Sequence, residues 1–240
     1  MKIKILYSHY NTQDNDGKYR PSWFSYEKCF QNFNKTTQLH HPNSVDLHII
    51  YDTTRGGIEQ NWLNKYKNNP ITIHEITGGS NGGAAKEMYK IAKELSEDME
   101  DGDLFYFMEN DYLHVNGWVD EVKTLFSTFN GLNYVSLYDH NDKYTWMHLY
   151  ENLTSKIFVT ETRHWRTVPN TCGSYLCTKK LFLEDYDIHL GLEGDANRWL
   201  WLEQNRGRFL LSPLPGLNTH CMETLLSPTI DWKKINELAS

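Results

Sequence analysis

Residues 103–111 read DLFYFMEND, and this stretch limits the possible folds more than any other. Leu104 to Met108 form an unbroken apolar run, so the segment has no polar face to show to water. Successive side chains of a strand point to opposite sides, and a strand of this kind needs both faces covered. The run therefore predicts a central strand of an α/β sheet packed between helices.

The neighbouring segments fit that role. Strand-like stretches begin at Lys2 (KIKILYSHY), Val45 (VDLHIIYD) and Ile71 (ITIHEIT), each rich in Ile, Val or Tyr and bounded by polar turns. GIEQNWLNKYKNN, between the second and third, has Ile58, Trp62 and Tyr66 at helical spacing and predicts a short helix. GGSNGGAAKEMYKIAKELSEDME predicts a helix capped by Ser80 or Asn81, with Met88, Ile91, Ala92, Leu95 and Met99 on its buried stripe. Strand, helix, strand, helix, strand is the pattern of a mostly parallel α/β sheet. Beyond residue 117, WVDEVKTLFSTF reads as a helix, NYVSLYDH as a strand, and a short helix starts at Lys179. GDANRWLWLEQNRG reads as a helix with Asp195 at its start and Gly207 past its end.

A chain of 240 residues without repeats or low-complexity tracts reads as one domain, 1–240. Its 24 basic and 31 acidic residues give a net charge of −7, which argues against a nucleic-acid-binding surface. A phosphate ligand would then need a local cation to hold it. Cys29, Cys172, Cys177 and Cys221 lack the spacing of a zinc or redox motif and read as reduced core thiols. The amino terminus has no secretion signal and no stretch is long enough for a transmembrane segment, so a cytoplasmic protein is expected.

Glu109 and Asp111 fall just where the central strand would emerge. In open α/β sheets the ligand crevice lies beyond the carboxyl ends of the strands. Two residues apart on an extended chain, the two carboxylates point the same way, about 7 Å apart at their Cα atoms. Such a pair can hold Mg²⁺ or Mn²⁺ and leave positions for phosphate oxygens; a solvated turn is the ordinary alternative. The glycine pairs Gly78-Gly79 and Gly82-Gly83 permit tight turns at a helix start whose N–H groups favour an anion, or simply form a capping loop. Lys86 is either a phosphate contact or a solvated helix lysine.

The elements HIIYDTT, GGSNGGAAKEM and FYFMENDYLHVNGW occur in the order and spacing of the GT-A fold, and over roughly residues 2–140 the chain resembles the family 2-like, nucleotide-sugar-dependent glycosyltransferases. The resemblance implies a Rossmann-like GT-A fold, with residues 1–117 binding nucleotide sugar and metal and 118–240 binding the acceptor. Asp52 would hydrogen-bond the base with Thr53 beside it, and Ser8 to Tyr10 would line the base and ribose pocket. Gly82, Lys86, Glu109 and Asn110 are the further candidates for the same nucleotide-sugar site. Asp111 would bind Mn²⁺ or Mg²⁺ directly. Glu109 stands where the family usually has Asp, to contact the ribose or the metal through water. His220, in PGLNTHC, would complete the metal's coordination. Asp195 or Glu193 would be the base that deprotonates a glycan or other hydroxyl acceptor, in a reaction expected to invert the anomeric centre. Asp195 is the preferred of the two, and N-capping is its structural alternative.

Trp118, Trp146, Trp165, Tyr138 and Tyr144 are candidate sugar platforms or core residues. Arg163 and Arg166 are candidate contacts for a diphosphate or an acidic sugar. A non-catalytic carbohydrate- or nucleotide-binding module is the alternative function. A sugar nucleotidyltransferase ranks lower, because SHYNTQDNDGKYRPSW lacks a glycine-rich loop after the first strand, and no HExxH supports a zinc hydrolase.

Overall fold

A computed structural model describes residues 1–38, 44–192 and 194–239 of the chain. The elements run β1 (Ile3–Tyr10), α1 (Tyr26–Gln38), β2 (Val45–Asp52), β3 (Thr72–Ile76), α2 (Asn81–Leu95), β4 (Leu104–Glu109), β5 (Tyr112–His114) and α3 (Trp118–Thr128). Then follow β6 (Tyr134–Val135), α4 (Asp142–Thr145), α5 (Met147–Tyr150), β7 (Ile157–Val159), β8 (His164–Val168), β9 (Tyr175–Thr178), α6 (Lys179–Glu184), α7 (Tyr186–Gly191), α8 (Asp195–Arg206), β10 (Leu210–Leu214), β11 (Asn218–His220) and α9 (Trp232–Glu237).

Nine strands form one sheet in the order β3-β2-β1-β4-β9-β6-β10-β8-β7. The pairings of β3, β2, β1 and β4 are parallel, and among the described strands of this sheet β8 and β9 alone run the other way. This is the expected α/β architecture. Leu104 to Met108 have no exposed surface at all. Leu104, Tyr106 and Met108 pack with Phe30 and Phe33 of α1 and Trp118, Val119, Val122 and Leu125 of α3. Phe105 and Phe107 pack with Met88, Tyr89 and Ala92 of α2, and with Phe182 and Trp199 from α6 and α8. Each such side chain stabilises the fold by about 1.5–3 kcal/mol on burial, which is why the strand sits at the centre.

The parallel register sets the site. Ser8 of β1 stands opposite Glu109 of β4, and Tyr10 stands opposite Asp52 of β2, so the carboxyl ends of three strands open on one edge.

Ser80, rather than Asn81, caps α2 by accepting from the Gly83 N–H at 3.1 Å. Gly78 and Gly83 are needed for close approach: a Cβ on Gly83 would stand 2.0 Å from the Gly78 carbonyl oxygen, a clash of backbone on backbone. The segment expected as a helix between the second and third strands is instead two short 3₁₀ turns, Ile58–Gln60 and Trp62–Tyr66. Asn61 separates them. Its backbone is extended and its side chain accepts from the Leu63 N–H, so it restarts the turn rather than continuing a helix. Helix α1 falls in a stretch without an assigned element. Its buried Tyr26, Cys29, Phe30 and Phe33 do follow the i, i+3, i+4, i+7 spacing.

Cys29, Cys177 and Cys221 are buried and all four cysteines are free thiols. Among the described residues no helix is long and apolar enough to cross a membrane.

Candidate active site

A cavity of about 310 Å³ opens at the carboxyl edge of β1, β2 and β4. Ser8, Tyr10, Asp52, Gly82, Glu109, Asn110, Asp111 and Asp195 all border it, so most of the residues singled out in the sequence meet in one place. Thr53, Lys86 and His220 are not among its lining residues. Thr53 turns its hydroxyl to the Ile76 carbonyl at 2.9 Å and ties the ends of β2 and β3 together. Its neighbour Thr54 borders the cavity instead. Glu193 lies outside the described residues.

Asp52 joins two loops. Its Oδ1 accepts from the Thr54 N–H at 2.9 Å and the Gly78 N–H at 3.1 Å. Burial pushes its carboxyl up, but the Thr54 hydroxyl, which also donates to Oδ1, and these two N–H bonds hold it below the usual range. Asn110 borders the cavity, but its amide nitrogen is 2.9 Å from Nδ1 of buried His9. The Arg55 guanidinium lies over the Tyr10 ring, 4.9 Å from its centroid.

His220 reaches Asp111 through a second sheet. β11 pairs with β5 antiparallel, His220 opposite Tyr112, and the Cys221 N–H donates to the Asp111 carbonyl at 2.9 Å. The Tyr112 and His220 rings stack at 5.0 Å with their planes 8° apart. His220 Nε2 then donates to Asp111 Oδ2 at 3.0 Å. Two cations join it on the same oxygen: Arg20 Nη2 at 2.9 Å and Lys18 Nζ at 3.8 Å. Asp111 is 3% exposed, and burial would raise its carboxyl, yet His220, Arg20 and Lys18 hold it far below the usual range. Burial would lower His220, yet Asp111 lifts it well above the ordinary histidine value. Glu109 behaves oppositely. Burial first, and the charge of Asp111 second, push it up to about 7. Its side chain packs on Gly173, where a Cβ would stand 3.1 Å from Glu109 Cδ.

Asp195 is the first residue of α8, and Gly194 occupies the cap position without a side-chain cap bond. The carboxylate therefore does not cap the helix. Its partner is Arg198 one turn on, with Nη1 3.4 Å from Oδ1, and Arg198 also donates to the Tyr89 hydroxyl at 3.1 Å. The Asp195 side chain is 41% exposed, and its carboxyl is raised by partial burial, which Arg198 opposes.

Among the described residues no group of three or more His, Cys, Asp or Glu side chains converges on a metal position. Asp111 Oδ1, however, is buried and meets no hydrogen-bond partner among them. The orphaned Asp111 oxygen fits a divalent ion that completes its shell with water and substrate phosphate, a common mode for Mg²⁺ and Mn²⁺, whereas His220, whose Nε2 donates to Asp111, would have to lose that proton before it could ligate.

Of the candidate aromatics, Trp118, Trp165 and Tyr138 are core residues, while Tyr144 and Trp146 remain 43% and 45% exposed. Arg163 and Arg166 do not border the cavity; they pair with Glu121 and Asp139. The sequence reading missed Lys18, Arg20, Arg55, Tyr89 and Arg198. Arg198 had a signal in its i+3 spacing from Asp195; Lys18 and Arg20 lie in a loop without periodicity.

No family model and no curated protein matches the sequence. Among solved structures the chain is similar to a protein of Desulfovibrio desulfuricans G20 assigned provisionally as a nucleotide-diphospho-sugar transferase, at 14% identity, covering 88% of this chain and 80% of that one, with a TM-score of 0.49. It is also similar to the galactosyltransferase LgtC in complex with donor and acceptor sugar analogues, at 14% identity, 82% and 69% coverage and a TM-score of 0.41. A third is 4-diphosphocytidyl-2C-methyl-D-erythritol synthase of Anaerococcus prevotii DSM 20548, at 11% identity, 99% and 94% coverage and a TM-score of 0.45. At these values the likeness is one of chain path alone.

Proposed function

We propose that the protein transfers a glycosyl group from a nucleoside-diphosphate sugar to a hydroxyl acceptor, with inversion at the anomeric carbon. One observation carries this reading: Asp195, from a helix late in the chain, borders the same cavity as Glu109 and Asp111 at the sheet edge. A charged pole for a leaving diphosphate and a half-exposed carboxylate for an acceptor are what the reaction needs.

The Tyr10 ring with Arg55 above it gives a flat surface for the nucleoside, and Asp52 borders that end. Asp111, joined by His220 once that ring has lost its proton, would hold Mn²⁺ or Mg²⁺, which when bound supplies positive charge to the phosphate oxygens. Asp195 takes the proton of the acceptor hydroxyl as that oxygen bonds to the anomeric carbon and the bond from this carbon to the phosphate oxygen breaks. Arg198 holds the Asp195 carboxylate in place.

The test is nucleoside diphosphate release from UDP-, GDP- and dTDP-sugars and CMP release from CMP-sugars, each with Mn²⁺. Release suppressed by Asp195→Asn supports transfer. Tight binding of a nucleotide sugar without turnover on any acceptor would instead support a non-catalytic binding module.

A further inference from the structure

We propose that the loop between β1 and α1 is a fixed cation arm for the donor's phosphates, with Lys18 as a direct phosphate contact and Arg20 as the anchor that keeps it there. The inference rests on the donor reading above, and it adds a residue that neither motif nor strand register indicated.

The two side chains are built for different tasks. Arg20 is 6% exposed and cannot leave its place. Nη2 donates to Asp111 Oδ2 at 2.9 Å, to Asp16 Oδ2 at 2.8 Å and to the Tyr26 hydroxyl at 2.8 Å, while Nη1 donates to the Cys221 carbonyl at 3.0 Å. Its guanidinium lies over the Phe24 ring, 4.4 Å from the centroid. The planar fork is used on every side, which fastens the loop to the floor of the site. Lys18, two residues earlier, is 44% exposed, borders the cavity, and stands 3.8 Å from Asp111 Oδ2, too far for a full hydrogen bond. It is a cation held at the cavity wall with its donors unspent on that carboxylate.

The charge balance explains why such an arm matters. Asp52, Glu109, Asp111 and Asp195 border the cavity, against the cations Lys18, Arg55 and Arg198, of which Arg198 is already paired with Asp195. An incoming diphosphate adds negative charge to that wall, and like charges at close range disfavour binding. A divalent ion offsets part of this. Lys18 offsets part of it whether or not an ion is present, because its ammonium is attached to the chain.

Inorganic pyrophosphate is the probe, titrated calorimetrically into the full chain with EDTA and, separately, with Mn²⁺. The wild-type protein is expected to bind pyrophosphate in EDTA, Lys18→Met to weaken that binding about tenfold or more, and Lys18→Arg to restore most of it. Lys18 is half-exposed, so its replacement leaves the core intact. Binding that needs Mn²⁺ and is the same in wild type and Lys18→Met would overturn the cation arm and leave the glycosyltransferase reading standing. Binding in EDTA that depends on Lys18, in a protein that releases no nucleotide from any sugar donor, would keep the arm and remove the transfer reading. No pyrophosphate binding under either condition would sink both.

Discussion

Two carboxylates border the same cavity and are treated in opposite ways. Asp111 is 3% exposed and shares one oxygen among Arg20, His220 and Lys18. The Asp195 side chain is 41% exposed, with Arg198 at 3.4 Å. The first is locked into its charged form. The second is kept closer to neutrality, with room for another molecule against it. A group that must hold charge and a group that must take up a proton require these opposite environments, so under the proposed transfer the first would serve as an electrostatic pole and the second as the base.

The largest effect is expected at the locked pole. Asp111→Asn keeps the shape but leaves the buried His220 charge without its counterion and Arg20 with Asp16 alone. Transfer should fall below detection, and stability in urea should drop by about 3 kcal/mol. Full activity in this variant would erase the distinction between the two ends. Asp195→Asn should lower turnover by about 10²- to 10³-fold, with pyrophosphate affinity and stability nearly unchanged. A large loss of stability would mean that Asp195 is structural and that its exposure has been misread.

A smaller effect follows from linkage. The folded value of His220 is raised above its unfolded value near ~6.5, so its contribution to stability is full below that pH and is lost as pH rises through the folded value. Above about pH 6.5 the folded state then keeps a proton that the unfolded chain has released, giving a slope of up to about 1.4 kcal/mol per pH unit. Asp111 works in the other direction. Its contribution is present above the unfolded value near ~3.9 and is lost as pH falls through the depressed folded value. Denaturant melts of His220→Gln across the alkaline window should show a flatter slope than the wild type. Identical slopes would show that the imidazole is neutral beside Asp111.

The reach of the sequence is uneven for the same physical reasons. β4, α2 and α8 were legible because burial imposes an uninterrupted run on a doubly covered strand and a 3.6-residue stripe on a helix. Glu109 and Asp111 were legible because the sheet edge is where such residues meet ligands. Helix α1 carried the same stripe in Tyr26, Cys29, Phe30 and Phe33 and was passed over, its apolar positions being aromatic or Cys residues of modest helix propensity. The 3₁₀ turns were misread because Ile58, Trp62 and Tyr66 have the right spacing, while the side-chain bond of Asn61 that restarts the chain is invisible to periodicity. Lys18 and Arg20 lie in an aperiodic loop, and Arg20 meets Asp111 across 91 residues of chain, a contact only the fold creates.

Glu109 decides how sharp the contrast is. It ends β4, two residues before Asp111, yet burial and the neighbouring charge push it up to about 7, so near neutrality it divides its time between the two forms. Gln has the size of the protonated form and none of the charge. If Glu109 sits with the groups allowed to change protonation, Glu109→Gln should cost less activity than Asp195→Asn, and any step near pH 7 in kcat/KM should vanish. If instead the carboxylate is a second fixed negative charge at the pole, the variant should be as damaged as Asp111→Asn. Its dependence on added Mn²⁺ should also shift to higher concentration. A pH-rate series on Glu109→Gln beside the wild type distinguishes these outcomes, because only the second ties activity and Mn²⁺ requirement to the same substitution.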